Sequence, residues 1–186
     1  MPDIFIIAGC NGAGKTTAAY NLLPEVFKTV EFVNADEIAR GLSPFNPTGV
    51  AFQAGRIMLE RLEQLIGENK SFSFETTLSG LTYLDFIRKA KEKGYGITLF
   101  FVFLNSVKLA KERVAIRVSK GGHSIPDEVI ERRYHKGVRN FSTYANEAND
   151  WYVYDNSGSE YELVAKSIDK EEKIINFELF KSIVYK

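Results

Sequence analysis

The chain has 186 residues, of which 45% are hydrophobic and 26% are charged, a composition typical of a folded globular domain and not of a disordered tail. Its 24 basic and 24 acidic residues give a formal net charge of zero, which argues against a generally basic binder of nucleic acid or membrane surfaces. The single cysteine, Cys10, excludes an intrachain disulfide, and no apolar run approaches the roughly 18 residues of a membrane span. We therefore expect one cytoplasmic domain over residues 1–186 that does not contact a membrane.

Short apolar runs alternate with longer amphipathic stretches along most of the chain, which predicts strands alternating with helices. The predicted strands lie at residues 4–8, 30–33, 72–74, 97–104 and 151–154. The predicted helices lie at residues 15–23, 37–40, 50–66, 81–93, 107–118 and 126–146. Strands joined by helices in this way imply a mainly parallel sheet of about five strands with helices on both faces, a three-layer α/β sandwich.

Two segments stand apart from this simple alternation. The fourth predicted strand, at residues 97–104, is apolar throughout, which indicates a central position covered on both faces. Residues 160–186 give mixed signals, since 161–168 partly alternates and 174–184 fits either a helix or a strand. We expect this tail to pack on the edge of the same domain.

Residues 9–16, GCNGAGKT, match the P-loop pattern G-x-x-x-x-G-K-[ST] directly between the first predicted strand and the first predicted helix. In such a loop the glycines let the backbone N–H groups turn inward and bind phosphate oxygens, and the helix N-terminus adds partial positive charge. Lys15 is expected to contact the β- and γ-phosphates of a nucleotide, and the Thr16 hydroxyl to bind Mg²⁺. The predicted nucleotide-binding residues of this loop are Gly9, Asn11, Gly12, Ala13, Gly14, Lys15, Thr16 and Thr17.

The segments after the P-loop distinguish between classes of P-loop protein. A guanine-selective switch carries an Asn-Lys-x-Asp motif, whereas the Asn-Lys pair at residues 69–70 is followed by Ser-Phe. A mechanical ATPase ends a later strand with Asp or Asp-Glu, whereas the third predicted strand here runs into Glu75 and two threonines. Because neither motif has its usual form, a small-molecule kinase is the better match.

Phosphoryl transfer to an alcohol needs a carboxylate that accepts the hydroxyl proton and cations that contact the transferred group. Asp36 follows the second predicted strand, and in a parallel sheet that strand end faces the same crevice as the P-loop. Asp36 is therefore a candidate general base, although an acidic residue is also favoured in the first turn of any helix. Arg40, one helical turn further on, is a candidate for holding substrate.

A group of arginines follows the strongest predicted strand, in a region (residues 106–140) that has the features of a lid. The arginines are Arg113, Arg117, Arg132, Arg133 and Arg139. The sequence KGGHSIP at residues 120–126 separates them and is typical of a flexible loop. A closing lid would bring such arginines to the phosphates of a nucleotide, whereas the alternative is a charged face exposed to solvent. With only His123 and His135, the chain lacks the residues of a histidine-rich metal site.

Together these motifs resemble the zeta toxin family of P-loop kinases. The resemblance rests on the P-loop, on NADEIAR at residues 34–40, on FETT at 74–77 and on the arginine region as far as Arg133 and Tyr134, and it spans about residues 4–158. Members of this family use ATP to phosphorylate the amino-sugar hydroxyl of UDP-N-acetylglucosamine, and an antitoxin protein is a candidate partner. The toxins that act on this sugar nucleotide are generally longer than this chain, which leaves the acceptor open.

The resemblance also implies roles for individual residues. Asp36 corresponds to the base that activates the acceptor hydroxyl, with Lys15 and Thr16 on ATP and Mg²⁺. Arg117, together with Arg132 or Arg133, corresponds to the phosphate-contacting arginines of the family. The expected substrate-binding residues are Asn34, Arg40, Glu75, Thr77, Arg113 and Arg132. Asn156 lies where related kinases pass a loop beside adenine, although the Asp-Asn-Ser sequence at residues 155–157 also favours a plain turn.

The leading hypothesis is an ATP-dependent kinase that phosphorylates a hydroxyl of a nucleotide-sugar or a similar small molecule. One alternative is a non-catalytic module whose ATP-bound state regulates a protein partner. Another is a kinase of nucleic-acid hydroxyl groups, against which the neutral net charge argues because phosphate contacts usually need a basic surface.

Overall fold

The computed structural model describes residues 2–22, 29–122 and 124–184 of the chain. The strands are β1 (Asp3–Gly9), β2 (Phe32–Val33), β3 (Phe72–Thr76), β4 (Gly96–Phe103), β5 (Asp150–Asp155), β6 (Glu162–Ile168) and β7 (Glu171–Ile174). The helices are α1 (Lys15–Leu22), α2 (Ala35–Leu42), α3 (Ala51–Gly67), α4 (Thr82–Glu92), α5 (Val107–Ser119), α6 (Asp127–Glu147) and α7 (Phe177–Val184), and a 3-10 turn, Pro47–Val50, leads into α3. Within these described ranges, none of the helices has both the length and the apolar composition needed to cross a lipid bilayer.

The strands form one sheet in the order β2-β3-β1-β4-β5-β6-β7. The first five strands of this order run parallel, because β3 pairs with β2 and β1, β1 with β4, and β4 with β5 in parallel register. β6 and β7 continue the sheet with antiparallel pairing. The predicted α/β class and all five predicted strands are confirmed, while the tail adds two strands that the hydrophobic pattern did not resolve.

Several predicted element boundaries shift for identifiable physical reasons. The second strand is limited to Phe32–Val33 because it lies at the sheet edge and pairs with β3 on one side. The short helix after it is longer than predicted because Asn34 caps it, with Asn34 Oδ1 accepting a hydrogen bond from the Asp36 backbone N–H at 2.8 Å. Pro126 occupies the N-cap of α6 instead of its first turn. Leu23, the predicted end of the first helix, lies outside the described residues.

The mixed signals of the tail reflect its position at a sheet edge. β6 pairs with β5, with a register shift between Val153 and Tyr154, and β7 is exposed along its whole length. α7 packs back onto the sheet, where the Phe180 ring stacks on Trp151 with ring centroids 5.6 Å apart. Residues 160–184 therefore pack at the edge of the sheet, and their alternation is weak because β6 is only partly buried and β7 is exposed.

The centre of the sheet is buried on both faces. Residues 99–103 of β4 are buried in succession, as are residues 6–9 of the adjoining β1, which confirms the central position predicted for the most apolar strand. The parallel register aligns Ala8 of β1 with Thr76 of β3 and Phe101 of β4. The carboxyl ends of these strands therefore finish side by side, and the residues that follow them meet at one edge of the sheet.

Candidate active site

The P-loop connects β1 to α1, and two of its glycines are required by the local geometry. Gly12 has φ +81° and Gly14 has φ +92°, a backbone conformation that residues with a Cβ rarely adopt. A Cβ on Gly12 would lie 2.7 Å from the carbonyl oxygen of Ala110 in α5, and one on Gly14 would lie 2.6 Å from the Tyr161 hydroxyl. The shape of the loop is therefore fixed by close contacts with neighbouring elements.

Two residues beyond β5 hold the backbone of the P-loop by hydrogen bonds. Asn156 Nδ2 donates to the Ala13 carbonyl at 2.8 Å, and Tyr161 Oη donates to the Gly14 carbonyl at 2.8 Å. Asn156, a predicted nucleotide contact, is thus placed against the loop that would hold the phosphates. Cys10 is buried in the same loop, and this burial raises the pKa of its thiol to about 11, which keeps it protonated near neutral pH.

Glu75, at the end of β3, connects the P-loop to the start of α2. Its Oε1 lies 3.3 Å from Lys15 Nζ, which also donates to the Cys10 carbonyl at 2.9 Å. Its Oε2 accepts hydrogen bonds from Thr16 Oγ1 at 2.6 Å and from Asn34 Nδ2 at 2.9 Å. Because the Lys15 and Glu75 side chains are only 5% and 10% exposed, water screens their attraction weakly. Lys15 is therefore held inside the P-loop.

The oxygen atoms of Thr16 and Glu75 are suitable ligands for Mg²⁺. This ion prefers oxygen donors and is usually bound by one or two protein side chains, with phosphate oxygens and water completing an octahedron. The Thr16 hydroxyl and a Glu75 carboxylate oxygen lie within 2.6 Å of each other beside the P-loop. In the part of the chain that the structure describes, no group of three or more His, Cys, Asp or Glu forms a separate metal site. The residues present therefore fit a Mg²⁺ ion that arrives with nucleotide phosphates.

Asp36 and Arg133 lie near each other beside the P-loop. Asp36 lies in the first turn of α2, and Arg133 Nη1, from α6, donates to Asn11 Oδ1 of the P-loop at 3.2 Å. Burial lowers the pKa of the Arg133 guanidinium, and the negative charge of Asp36 opposes that shift. The Asp36 carboxylate is thus close enough to Arg133 to stabilise its charge, and both residues belong to the cleft.

Two adjoining cavities meet at Asp36. A cavity of about 190 Å³, which we name the P-loop cavity, is lined by residues that include Asn11, Lys15, Thr16, Asp36, Arg113 and Arg117. A larger cavity of about 430 Å³, which we name the outer cavity, lies between α2, α3, α4, α6 and the loop after β3. Asn11, Lys15, Asp36 and Glu75 line both cavities. The arrangement places a carboxylate and a lysine at the junction between a phosphate-binding loop and a second space that can hold another molecule.

The loop after β3 forms one wall of the outer cavity and is held by α6. Asn140 Nδ2 donates to the Leu78 carbonyl at 2.7 Å, and Tyr144 Oη donates to the Gly80 carbonyl at 2.7 Å. At Gly137 the helix approaches so closely that an added Cβ would lie 2.5 Å from the Thr77 carbonyl oxygen. Leu78 itself is fully buried with a positive φ of 51°, a strained conformation that needs such support.

Sequence reasoning did not predict that Gly137, Asn140 and Tyr144 of α6 support the loop after β3. Their spacing of three and four residues places Gly137, Asn140 and Tyr144 on one helix face, which is the signal that was available. That face carries a glycine and two polar or amphipathic side chains, so an apolar periodicity does not reveal it.

The structure places the other predicted substrate-binding residues in three different surroundings. Thr77 lines the outer cavity, with its hydroxyl 2.9 Å from that of Ser79. Arg40 forms an ion pair with Glu37 at 3.3 Å and lines a different, basic cavity of about 500 Å³ together with Arg113, Arg117 and Lys120. Arg132 and Arg139 are exposed on α6, and Arg132 lies outside both the P-loop cavity and the outer cavity. Of the predicted lid region, His123 lies outside the described residues.

Comparison with known proteins identifies the family. The model of the family described as zeta toxin matches residues 1–166 of the 186. The chain belongs to the zeta toxin family. A protein of Haemophilus influenzae strain Rd, described as an uncharacterized protein, is 32% identical over 127 residues, which cover 68% of this chain and 88% of that protein. The predicted resemblance is confirmed, and the predicted enzyme class, a kinase with an alcohol acceptor, is that of this family.

Solved structures show the same fold at low sequence identity. The AvrRxo1-ORF1:-ORF2 complex with ATP matches with a TM-score of 0.80 and 20% identity over 98% of this chain, which spans 63% of the matched chain. The PezAT toxin–antitoxin system of Streptococcus pneumoniae matches with a TM-score of 0.72 and 16% identity over 100% of this chain and 79% of that one. The predicted P-loop kinase-like fold is therefore confirmed.

Proposed function

We propose that this member of the zeta toxin family is an ATP-dependent kinase that transfers the γ-phosphoryl group to a hydroxyl of a nucleotide-sugar, of which UDP-N-acetylglucosamine is the model. The observation that carries the proposal is the position of Asp36 between the P-loop cavity and the outer cavity. A carboxylate at this junction is placed to accept the proton of a hydroxyl that points from the outer cavity towards the γ-phosphate.

The proposed reaction is an in-line displacement. Asp36 accepts the hydroxyl proton while the acceptor oxygen forms a bond to the γ-phosphorus, and the bond from that phosphorus to the bridging oxygen of ADP breaks. Lys15, held by Glu75 and the Cys10 carbonyl, stabilises the negative charge on the phosphate oxygens. Thr16 and Glu75 would hold Mg²⁺ together with ATP, and the bound ion would supply further neutralisation of that charge.

Two arginines are proposed to contact the phosphates. Arg133 lies beside the junction, within hydrogen-bond distance of Asn11 and opposite Asp36. Arg117 lines the P-loop cavity from α5, and Arg113 lies beside it with its guanidinium donating to the Gly158 carbonyl at 3.2 Å. Because Arg133 comes from α6 and Arg117 from α5, their approach to the same phosphates is the step that lid closure would complete.

Substitution of Asp36 by Asn tests this proposal directly. The amide keeps the shape of the side chain but accepts no proton, so phosphoryl transfer to UDP-N-acetylglucosamine is expected to fall by roughly 10²-fold or more. Phosphorylated product is measured by mass spectrometry, and ATP affinity by titration of a fluorescent ATP analogue. ATP affinity is expected to change by less than about threefold, because Asp36 carries no phosphate-binding group.

The outcomes separate the competing functions. A transfer rate that Asp36→Asn leaves unchanged rejects Asp36 as the base. Tight ATP binding without product from any sugar nucleotide, nucleoside or aminoglycoside favours a regulatory ATP-binding module. Product from short oligonucleotides, with affinity that falls steeply as salt is raised, favours a nucleic-acid kinase instead.

A protein partner of the antitoxin kind and a cytoplasmic location complete the proposal. The partner is supported by the description of the PezAT system as a toxin–antitoxin system and by the pairing of ORF1 with ORF2 in the AvrRxo1 structures. Expression of the chain in a bacterial host is expected to slow growth, and Asp36→Asn to relieve that effect. Slowed growth that persists with Asp36→Asn contradicts toxicity through phosphoryl transfer.

A further inference from the structure

One face of α3 lines the outer cavity, while an adjacent face anchors the helix to the core. Ala54, Met58, Leu62 and Leu65 are buried. The cavity-lining positions on this helix are Ala51, Phe52, Gly55, Arg56 and Leu59. Their spacing of three to four residues forms a continuous stripe beside the buried one. Since the buried residues fix the rotation of the helix, this stripe is held towards the cavity.

Arg56 supplies a positive charge to that stripe. Among the residues that the structure describes, it has no ion pair and no hydrogen bond. The other cations that line the outer cavity, Lys15 and Arg133, contact Glu75 and Asn11 beside the P-loop. Arg56 therefore lines the outer cavity but not the P-loop cavity and has its donors available, and a guanidinium group in that situation matches a phosphate or a carboxylate.

Phe52 lies one helical turn before Arg56 and is 84% exposed although it lines the same cavity. An aromatic ring in this position offers a flat apolar surface that is stabilised when another planar ring covers it. Gly55, between the two, leaves open space: a Cβ built there meets no heavy atom within 4 Å. The stripe thus combines an apolar plane, a gap and a cation within about one turn, a rise of about 5.4 Å.

We propose that Phe52 and Arg56 determine acceptor specificity, and that they select a nucleotide-type acceptor whose planar base stacks on Phe52 while its phosphate binds Arg56. A base and a phosphate separated by one ribose suit a ring and a cation separated by one helical turn. This inference rests on the proposed function, since it concerns the molecule that presents the hydroxyl to Asp36. It adds two specificity residues from α3 that the resemblance to the family did not indicate.

Substitution of Gly55 by Leu tests the use of this wall without endangering the fold. The new side chain projects into open space, and replacing a helical glycine raises helix propensity by about 1 kcal/mol. With UDP-N-acetylglucosamine as acceptor, Gly55→Leu is expected to raise the acceptor KM by roughly tenfold or more while changing the KM for ATP by less than about twofold. Gly67→Leu is the matched control, because Gly67 ends the same helix and its added Cβ also meets nothing within 4 Å.

Substitutions of the two specificity residues separate charge from stacking. Arg56→Gln is expected to raise the acceptor KM by about tenfold, as loss of a charge-assisted hydrogen bond does, and Arg56→Lys to restore part of it. Phe52→Ala is expected to raise it by about fivefold, whereas Phe45→Ala, which removes an exposed ring that does not line the cavity, is expected to leave it unchanged.

A panel of acceptors tests which chemical class of acceptor the enzyme prefers and whether the anion that binds Arg56 is a phosphate or a carboxylate. UDP-N-acetylglucosamine, UMP and AMP carry a base and phosphate, N-acetylglucosamine 1-phosphate carries only phosphate, glucuronate only a carboxylate, and N-acetylglucosamine neither. Phosphorylated product is expected from the first group in preference to the others. A kcat/KM for the last three compounds that equals that of the first group, or a Gly55→Leu KM equal to that of Gly67→Leu, overturns this inference while leaving the kinase function intact. Failure of every compound to yield product, with ATP still bound, is instead the result that rejects the proposed function itself.

Discussion

The P-loop and α3 both line the outer cavity, as does Asp36, and they are built in contrasting ways. The P-loop is fixed by backbone conformation and buried contacts: Gly12 and Gly14 leave no room for a Cβ, and Lys15 is almost fully buried. The α3 wall is formed by exposed side chains, with Phe52 largely accessible and open space beside Gly55. A substitution in the P-loop must therefore disturb its neighbours, whereas α3 can change its exposed residues without cost to packing.

This contrast assigns the two parts of a phosphotransfer reaction to two kinds of structure. The group common to all kinases, a triphosphate, is bound where many contacts hold the backbone in one shape. Under the proposed function, the group that differs between kinases, the acceptor, would bind where few contacts constrain the side chains. The rate of phosphoryl transfer should therefore be sensitive to substitutions in the P-loop, and the choice of acceptor to substitutions on the α3 wall.

The largest effect is expected from Lys15→Met, which removes the buried ammonium of the P-loop. The loss of charge stabilisation in the transition state is expected to lower kcat by about 10³-fold with any acceptor. A single-turnover assay with radiolabelled ATP measures it, and circular dichroism checks that the fold is retained. A change in acceptor preference with no change in kcat would contradict the assignment of catalysis to the P-loop and of acceptor choice to the α3 wall.

Arg133→Gln should give the next largest effect and resolve which of two adjacent arginines contacts the phosphates. Arg133 lines the outer cavity together with Asp36 and donates to Asn11, whereas Arg132 is exposed. We expect Arg133→Gln to lower kcat by about 10²-fold, and Arg132→Gln to lower it by less than about threefold. The reverse order of effects would mean that α6 rotates when nucleotide binds.

Asn140→Ala tests whether α6 sets the position of the loop after β3. Loss of the hydrogen bond to the Leu78 carbonyl is expected to reduce the free energy of unfolding by about 1–2 kcal/mol, since that carbonyl lies beside a buried residue. The acceptor KM is expected to rise by about fivefold while the KM for ATP stays the same. Asn146→Ala, an exposed position in the last turn of the same helix, is the control. An equal rise in both KM values would place Asn140 in support of the whole cleft.

The features that could be predicted from the sequence are those formed by residues that lie close together in the chain. The P-loop is eight consecutive residues between an apolar strand and a helix, and Asp36 lies close after a strand whose carboxyl end faces the same crevice. Parallel sheet order brings such strand ends together without any knowledge of side-chain packing. The fold class, the P-loop and the position of Asp36 follow from this reasoning.

The remaining contacts depend on how helices rotate and on pairs far apart in the chain. Asn140 contacts a residue 62 positions away, and Asn156 contacts one 143 positions away, so no local pattern relates them. The choice between Arg132 and Arg133 depends on the rotation of α6, because adjacent residues on a helix point about 100° apart. Arg40, a predicted substrate-binding residue, lines the basic cavity and not the outer cavity, a placement that the spacing along α2 does not reveal.

The smallest predicted effect is a loss of unfolding free energy at alkaline pH, caused by ionisation of the buried thiol of Cys10. Burial raises the pKa of its thiol from 9.0 to about 11, so the unfolded chain loses this proton at lower pH than the folded one. The stability that the buried thiol contributes is therefore complete below pH 9 and is lost as pH rises towards 11. Between pH 8 and pH 10 wild type is expected to lose about 1 kcal/mol more of its unfolding free energy than Cys10→Ala, measured by urea denaturation. Equal losses in the two proteins would mean that water reaches the thiol, and that the P-loop is more open than its close contacts indicate.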